Sequence, residues 1–196
     1  MTWSIPREWP GERCFILCSG ESIRSQAETI TRLKGRFIAV RHGVFLKPDA
    51  DVLFFSGEGT NEINLPLLPV FKCQYVVARS KTKNLPPYVK CVTRTKDHEH
   101  LCELPDHVGG YDSGTSAIHL AYRFGATEIV LCGFDMTGGH FCPHPLRRIP
   151  LDHFTRHMEP LAALAEDARR KGVQIWNASP ISKAAMFPYR ALETFL

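Results

Sequence analysis

Short apolar runs alternate along the chain with longer polar stretches. Two of the runs, at 13–20 and 51–57, are closed by Ser-Gly, a pattern typical of buried strands. The run at 128–133 is almost continuously apolar, as expected for a parallel sheet covered on both faces. Strands are predicted at 13–20, 36–40, 51–57, 74–80, 88–94, 128–133 and 173–179.

The segments between these runs contain helix signals. Apolar residues recur at helical spacing over 113–124, with Asp112 or Ser113 as the cap and Gly125 at the end. A polar stretch over 21–34 is compatible with a second helix. A third runs to about Lys171, and Pro160 either kinks it or marks its first turn. The stretches 95–112 and 137–150 are predicted as loops.

This alternation predicts an α/β Rossmann-like three-layer sandwich with a mostly parallel central sheet, formed by one domain over residues 1–196. Such sheets bind ligands beyond the carboxyl ends of their strands. The candidate ligand-binding residues are those that follow the predicted strands: Ser19 to Ser22, Arg41, His42, Ser56, Gly57, Glu58, Asp135 and Asn177 to Ser179.

The amino-acid composition excludes few classes of function. The formal net charge of +4 is compatible with an anionic ligand and too small to indicate nucleic acid by itself. Seven cysteines, an odd number without a C-x-x-C pair or a signal peptide, favour a reducing cytoplasm. No apolar run approaches the length of a membrane span, so no membrane partner is expected. A homo-oligomer is compatible with the sequence.

Two turns have the chemistry of a phosphate site. "CSGES" at 18–22 and "YDSGTS" at 111–116 each place small residues where a helix begins, and free N–H groups there favour an anion. Neither turn is a dinucleotide fingerprint or a Walker A loop, and each has a simpler interpretation as an ordinary turn or helix cap. The predicted nucleotide-binding residues are Ser19, Gly20, Ser22, Arg41, Ser56, Gly57, Asp112, Ser113, Gly114 and Thr115.

Candidate catalytic groups follow the next strand. Asp135, just beyond the run at 128–133, could bind a sugar hydroxyl, hold a metal, act as a base, or simply stabilise a turn. His140 and His144 lie in a Gly/Pro-rich loop and suit a general base or a phosphate partner better than zinc, which needs a fuller ligand set. Arg147 and Arg148 could neutralise a diphosphate or a polyanionic acceptor, or belong to an ordinary charged surface.

Four segments together resemble a known group of proteins, and they cover most of the chain in order: "CFILCSGES", "RFIAVRHGVFLKPDADVLFFSG", "GGYDSGTSAIHLAYRFGATEIVLCGFDM" and "GVQIWNASP". They resemble Rossmann-like proteins often carried by phages. These are similar to small bacterial sialyltransferases, to motility-accessory glycosyltransferases and to the hydroxymethylpterin diphosphokinase-like domain.

The resemblance implies that Ser19, Gly20 and Ser22, together with Ser113 and Gly114, hold a cytidine nucleotide. It implies that His144, or else His140, is the base. Arg41 stands where these relatives often have an asparagine that contacts the nucleotide. The aromatic residues that steady the leaving phosphate in the sialyltransferases have no clear counterpart.

The sequence therefore favours a cytoplasmic transferase that uses a nucleotide-activated donor, above all a glycosyltransferase with a nucleotide sugar as donor and no certain cofactor. The acceptor would carry a hydroxyl, and the alternatives are a modified base in phage DNA, a glycan or a small metabolite. Two other functions stay open. One is an ATP-dependent diphosphokinase of a pterin-like alcohol, which would need Mg²⁺. The other is a nucleotide-binding module without turnover.

Overall fold

The computed structural model describes residues 2–56, 70–79, 85–142 and 154–196. Five residues singled out by the sequence lie outside the described residues: Gly57, Glu58, His144, Arg147 and Arg148.

The described residues form eight strands: β1 Arg13–Leu17, β2 Arg36–Val40, β3 Val52–Ser56, β4 Tyr75–Arg79, β5 Lys90–Arg94, β6 His107–Val108, β7 Glu128–Cys132 and β8 Gln174–Asn177. They are all parallel and make one central sheet in the order β6-β5-β4-β3-β2-β1-β7-β8. This arrangement confirms the predicted α/β Rossmann-like fold.

Strand β6 lies in the stretch 95–112, which was predicted as a loop. It has only two residues, and His107 pairs with Thr93 at the edge of the sheet. A two-residue strand has no apolar run, so the hydrophobic pattern of this polar stretch could not predict β6.

Within the described ranges the α-helices are α1 Ala27–Arg32, α2 Ser113–Phe124 and α3 Met158–Arg170. Helix α2 begins and ends where the sequence predicted, because Asp112 caps its first turn and Gly125 closes it in the left-handed region at φ 106°. Pro160 lies in the first turn of α3, which settles the alternative left open by the sequence.

The stretch 21–34 differs from the uniform helix that its composition suggested. A 3-10 helix occupies Glu21–Gln26 before α1 begins. The N–H and hydroxyl of Ser22 both bind Asp135, and the N–H of Ile23 donates to Gly20 O in the short 3-10 pattern. A distant carboxylate therefore engages the start of this segment.

Helices cover both faces of the sheet, giving the three layers that were predicted. Cys14 and Ile16 of β1 belong to the apolar cluster that includes α2 and α3, whereas Phe15 and Leu17 point to the other face, which the segment 21–33 covers. All four residues are fully buried. Burying a side chain as large as Phe or Leu stabilises the fold by about 1.5–3 kcal/mol.

The direction of the connections changes between two neighbouring strands. From β1 the chain passes to β2 on one side, and from β7 it passes to β8 on the other, while β1 and β7 pair with each other. The carboxyl ends of β1 and β7 therefore flank a topological switch point, where open α/β sheets bind ligands. Among the helices described, none has the length and apolar character needed to cross a membrane.

Candidate functional site

A cleft opens at the switch point, with a volume of about 310 Å³. This is at the lower end of the roughly 300–1,000 Å³ typical of small-molecule sites. Ser19 and Gly20 line it together with Ser113 and Gly114, so the two turns singled out in the sequence share one cavity. Segments after β1, β2 and β7, residues at the ends of β3 and β4, and the start of α2 all contribute to its wall.

Gly20 lets the turn after β1 lie directly against the end of β7. A Cβ on Gly20 would lie 2.4 Å from Gly133 O and 2.5 Å from the Asp135 Cγ atom, so only glycine fits. The Gly20 N–H donates to Gly133 O at 2.9 Å. Our expectation that this amide is available to a phosphate is therefore wrong, although Gly20 does line the cleft.

Asp135 is 2% exposed and accepts two hydrogen bonds from one residue. The Ser22 N–H donates to Oδ2 at 2.9 Å, and the Ser22 hydroxyl donates to Oδ1 at 2.5 Å. This carboxylate joins the turn after β1 to the end of β7 across 113 residues of sequence. Its observed contacts are those of a group that holds the cleft wall in place.

The start of α2 combines a side-chain cap with exposed backbone donors. Asp112 accepts hydrogen bonds from the Thr115 N–H at 2.8 Å and from the Thr115 hydroxyl at 2.7 Å. Both donors of Thr115 are therefore used in capping the helix. No residue in the described part of the chain accepts a hydrogen bond from the N–H of Ser113 or Gly114. These two amides, with the positive end of the helix dipole, favour an anion.

Gly114 and Ser113 are fixed by their packing. A Cβ on Gly114 would lie 2.8 Å from Phe134 Cε2 and 3.1 Å from Cys18 Sγ, so glycine brings α2 close to the sheet. The Ser113 hydroxyl lies 2.5 Å from the hydroxyl of Ser56 at the end of β3. The predicted residues Ser56, Ser113 and Gly114 therefore meet at one point of the cleft.

Among the described residues two arginines line the cleft, and the sequence analysis missed one of them. Arg79, the last residue of β4, donates through Nη1 to Gly110 O at 2.9 Å and to Ser116 Oγ at 2.6 Å. Burial, helped by the charge of Arg94 and opposed by that of Asp112, lowers the pKa of Arg79 to about 10. An anion bound beside the guanidinium would reverse that shift.

The second arginine follows β2 in an unusual conformation. Arg41 has φ 53°, in the left-handed region of backbone conformation that residues other than glycine rarely adopt. Burial lowers its pKa. Arg79 forms no ion pair with a carboxylate among the described residues. In the sequence, its place near the end of a predicted strand was the only signal for this residue.

The loop after β7 folds back onto the turn after β1. The Phe141 N–H donates to Ser19 O at 3.0 Å, and Arg24 Nη2 donates to Phe141 O at 2.5 Å. Met136 is a second residue outside glycine with a positive φ, at 56°. His140 belongs to the same loop and lines the cleft.

Tyr111 adds an aromatic surface that the sequence analysis did not single out. It is 44% exposed, lines the cleft, and stacks on the buried ring of His157 with centroids 5.0 Å apart and an angle of 12°. His157 in turn holds Tyr111 immediately before the cap of α2.

Other predicted candidates lie behind the cleft or away from it. Ser22 and Thr115 support its wall through Asp135 and Asp112, and neither is among its lining residues. Asn177 Nδ2 donates to Phe134 O and to Ser182 Oγ, so the expectation that Asn177 to Ser179 line the site is wrong. Within the described ranges no group of three or more His, Cys, Asp or Glu residues could hold a metal.

The fold is that of solved glycosyltransferases. The MAf glycosyltransferase from Magnetospirillum magneticum AMB-1 matches with a TM-score of 0.67 and 12% identity over 100% of this chain and 36% of that one. This chain thus spans little more than a third of that protein's length. No family model and no curated protein matches the sequence.

Sialyltransferases share the fold over most of their own length. The sialyltransferase CstII from Campylobacter jejuni, in complex with cytidine-5'-monophosphate, matches with a TM-score of 0.57 and 13% identity, over 94% of this chain and 87% of that one. The apo form of an alpha-2,3-sialyltransferase from Campylobacter jejuni gives 0.52 and 14%, over 96% and 85%. At such identities these likenesses establish the fold, and they agree with the predicted resemblance to glycosyltransferases and sialyltransferases.

Proposed function

We propose that the chain is a glycosyltransferase that binds a nucleotide-activated sugar in the cleft and transfers the sugar to a hydroxyl group. The observation that carries the proposal is the convergence of the start of α2, the turn after β1 and Arg79 on one cavity at the switch point. The likeness in fold to CstII, whose structure is described as a complex with CMP, supports a nucleotide as the ligand.

The phosphate of the donor lies, in this proposal, between α2 and the two arginines. The N–H groups of Ser113 and Gly114 donate to its oxygens, and the guanidinium of Arg79 balances its charge. Arg79 suits this role because Gly110 O and Ser116 Oγ fix its orientation before a ligand arrives. Arg41 supplies a second positive charge on the same wall.

Tyr111 provides the surface on which the base of the nucleotide stacks. Its ring is 44% exposed, lines the cleft and stacks on His157, while His98 and Arg94 also contact it. Aromatic side chains bind a flat ring through offset stacking, which contributes about 0.5–1.5 kcal/mol beyond the area buried.

Transfer then needs a base and compensation for the charge on the leaving group. The acceptor oxygen bonds to the anomeric carbon, the bond from that carbon to the phosphate oxygen breaks, and the acceptor proton passes to a histidine. His144 is our proposed base, with His140 on the cleft wall as the alternative. Arg147 and Arg148 are proposed to contact the phosphate or the acceptor, and Asp135 positions the turn beneath the donor.

A thermal-shift panel of nucleotides tests the proposal. CMP, UMP, GMP and AMP, their diphosphates and the corresponding nucleotide sugars would each be added at saturating concentration. A ligand at a hundred times its Kd adds about 2.7 kcal/mol of stability, or roughly 5 to 11 °C in Tm for a chain of this size. Stabilisation by ATP only with Mg²⁺ would favour the diphosphokinase, and no stabilisation by any compound would contradict the proposal.

Turnover separates an enzyme from a binding module. We expect release of the nucleotide from the best-bound nucleotide sugar, accelerated by an acceptor, with a glycan, duplex DNA containing hydroxymethylated bases and small alcohols offered in parallel. Binding without release under any of these conditions would support the module and refute the transferase.

Arg79→Met tests the phosphate site itself. We expect the Kd for the nucleotide to rise by about tenfold to a hundredfold, because a hydrogen bond to a charged group contributes roughly 1.5–3 kcal/mol. Arg32→Met, which removes an exposed arginine from α1, is the matched control and should leave Kd unchanged. Equal affinity in both variants would remove Arg79 from the site.

A further inference from the structure

Two residues that line the cleft carry hydroxyl groups that are buried and have no hydrogen-bond partner among the described residues. They are Ser19 Oγ, in the turn after β1, and Thr137 Oγ1, in the loop after β7. Buried polar groups in folded proteins nearly always have partners, and one that lacks them calls for an explanation. We propose that these two hydroxyls form a subsite that binds an oxygen of the donor, either a phosphoryl oxygen or a sugar hydroxyl.

The two segments that carry these hydroxyls are tied together at several points. Gly20 N–H binds Gly133 O, Ser22 binds the Asp135 carboxylate, and the Phe141 N–H binds Ser19 O. These bonds lie on either side of Thr137 in the sequence, and one of them is accepted by the carbonyl of Ser19 itself. The hydroxyls are therefore presented from a pre-organised frame, which lowers the entropy lost when a ligand binds.

Backbone strain concentrates next to Thr137. Met136 has φ 56° and Gly138 has φ 86°, so Thr137 lies between two residues in the left-handed region. Strain of this kind in a residue other than glycine is of order 1–3 kcal/mol and concentrates at sites that bind ligands. This backbone conformation sets the direction in which the Thr137 side chain leaves the loop, and its hydroxyl has no hydrogen-bond partner among the described residues.

The inference rests on the proposed function, since the ligand is the donor of that reaction. It goes beyond it by giving Thr137 a role and by naming the chemistry that Ser19 and Thr137 recognise. A phosphoryl oxygen accepts a hydrogen bond from each hydroxyl, whereas a sugar hydroxyl both donates and accepts. These two sources can be separated by the choice of probe.

Thr137→Val and Ser19→Ala are the test variants, because each removes a hydroxyl with little change in shape. Ser179→Ala is the matched control, since Ser179 Oγ is also buried without a described partner but Ser179 does not line the cleft. Without ligand we expect all three variants to unfold at the same urea concentration as the parent protein or a higher one, because an unpaired buried hydroxyl contributes no stability.

The binding measurements use two sets of probes: cytidine, CMP and CMP-N-acetylneuraminic acid, and uridine, UDP and UDP-glucose. We expect Thr137→Val and Ser19→Ala each to raise Kd about twofold to tenfold or more, and Ser179→Ala to leave it unchanged. A loss that begins with the nucleotide identifies a phosphoryl oxygen, and a loss confined to the nucleotide sugar identifies a sugar hydroxyl.

The failures of the two proposals can be distinguished. If the parent protein binds probes and both variants bind them equally well, or if Ser179→Ala shows the same loss, the subsite is refuted while the proposed function stands. If the parent protein binds none of the probes, the proposed function is contradicted and the subsite with it.

Discussion

The contact between Asp135 and Ser22 gives the sharpest prediction about stability. Asp135 is 2% exposed, and its carboxylate accepts from the N–H and the hydroxyl of Ser22 at 2.9 and 2.5 Å. Each hydrogen bond to a charged group contributes about 1.5–3 kcal/mol, so the two together contribute about 3–6 kcal/mol. Removing the carboxylate also removes its desolvation penalty, and we therefore expect Asp135→Ala to lower the free energy of unfolding by about 2–4 kcal/mol.

Ser22→Ala removes only the hydroxyl and keeps the backbone donor. We expect Ser22→Ala to lower the free energy of unfolding by about 1.5–3 kcal/mol. The loss in the double variant should be smaller than the sum of the two single losses by at least about 1.5 kcal/mol, because both substitutions delete the same hydrogen bond. Asp49→Ala is the control, since Asp49 pairs with Lys47 on the surface and such pairs contribute about 0–1 kcal/mol.

Urea unfolding with a fitted slope is the assay, since stability changes and changes in exposed surface then separate. Domains of this kind are stable by about 5–15 kcal/mol, so the expected losses lie well within range. Two results would refute the reasoning: an Asp135→Ala protein within about 0.5 kcal/mol of the parent, or losses from the two sites that simply add.

Two further predictions concern packing and pH. Gly114→Ala places a Cβ 2.8 Å from Phe134 Cε2, so we expect a loss of about 1–3 kcal/mol in urea unfolding together with weaker nucleotide binding, and unchanged values would contradict the close approach. Burial lowers the pKa of His119 to about 3, so the unfolded chain binds the proton first as pH falls below about 6.5. Stability should therefore fall between about pH 6.5 and 3, by up to about 1.4 kcal/mol per pH unit. His119→Asn keeps an acceptor for the Cys102 N–H, and its free energy of unfolding should fall less steeply over that pH range. An identical slope in the parent protein and the variant would contradict this role of His119.

The sequence predicted the features that depend on local pattern. The apolar runs located the longer strands, and the cap at Asp112 with Gly125 located α2 to the residue. These succeed because burial on both faces and helix capping act over a few neighbouring positions.

The missed features depend on contacts between distant segments. The 3-10 helix at Glu21–Gln26 begins where Asp135 accepts hydrogen bonds from Ser22. The sequence near residue 22 does not predict this contact, because the carboxylate lies 113 residues further along the chain. The Gly20 amide had seemed available because its partner, Gly133 O, comes from another strand end. Arg79 becomes a cleft residue only when β4 pairs with β3 and brings its end beside α2.

Hydrogen exchange with and without the best-bound nucleotide of the panel measures the central claim most directly. In a shared nucleotide site, one ligand touches two segments that are far apart in the sequence, 18–22 and 111–116, at the same rim of the sheet. We expect exchange to slow in both segments at once, and in the peptide that ends at Arg79, while strand β8 is unaffected. Protection confined to one of the two segments, or located away from the cleft, would contradict a shared nucleotide site.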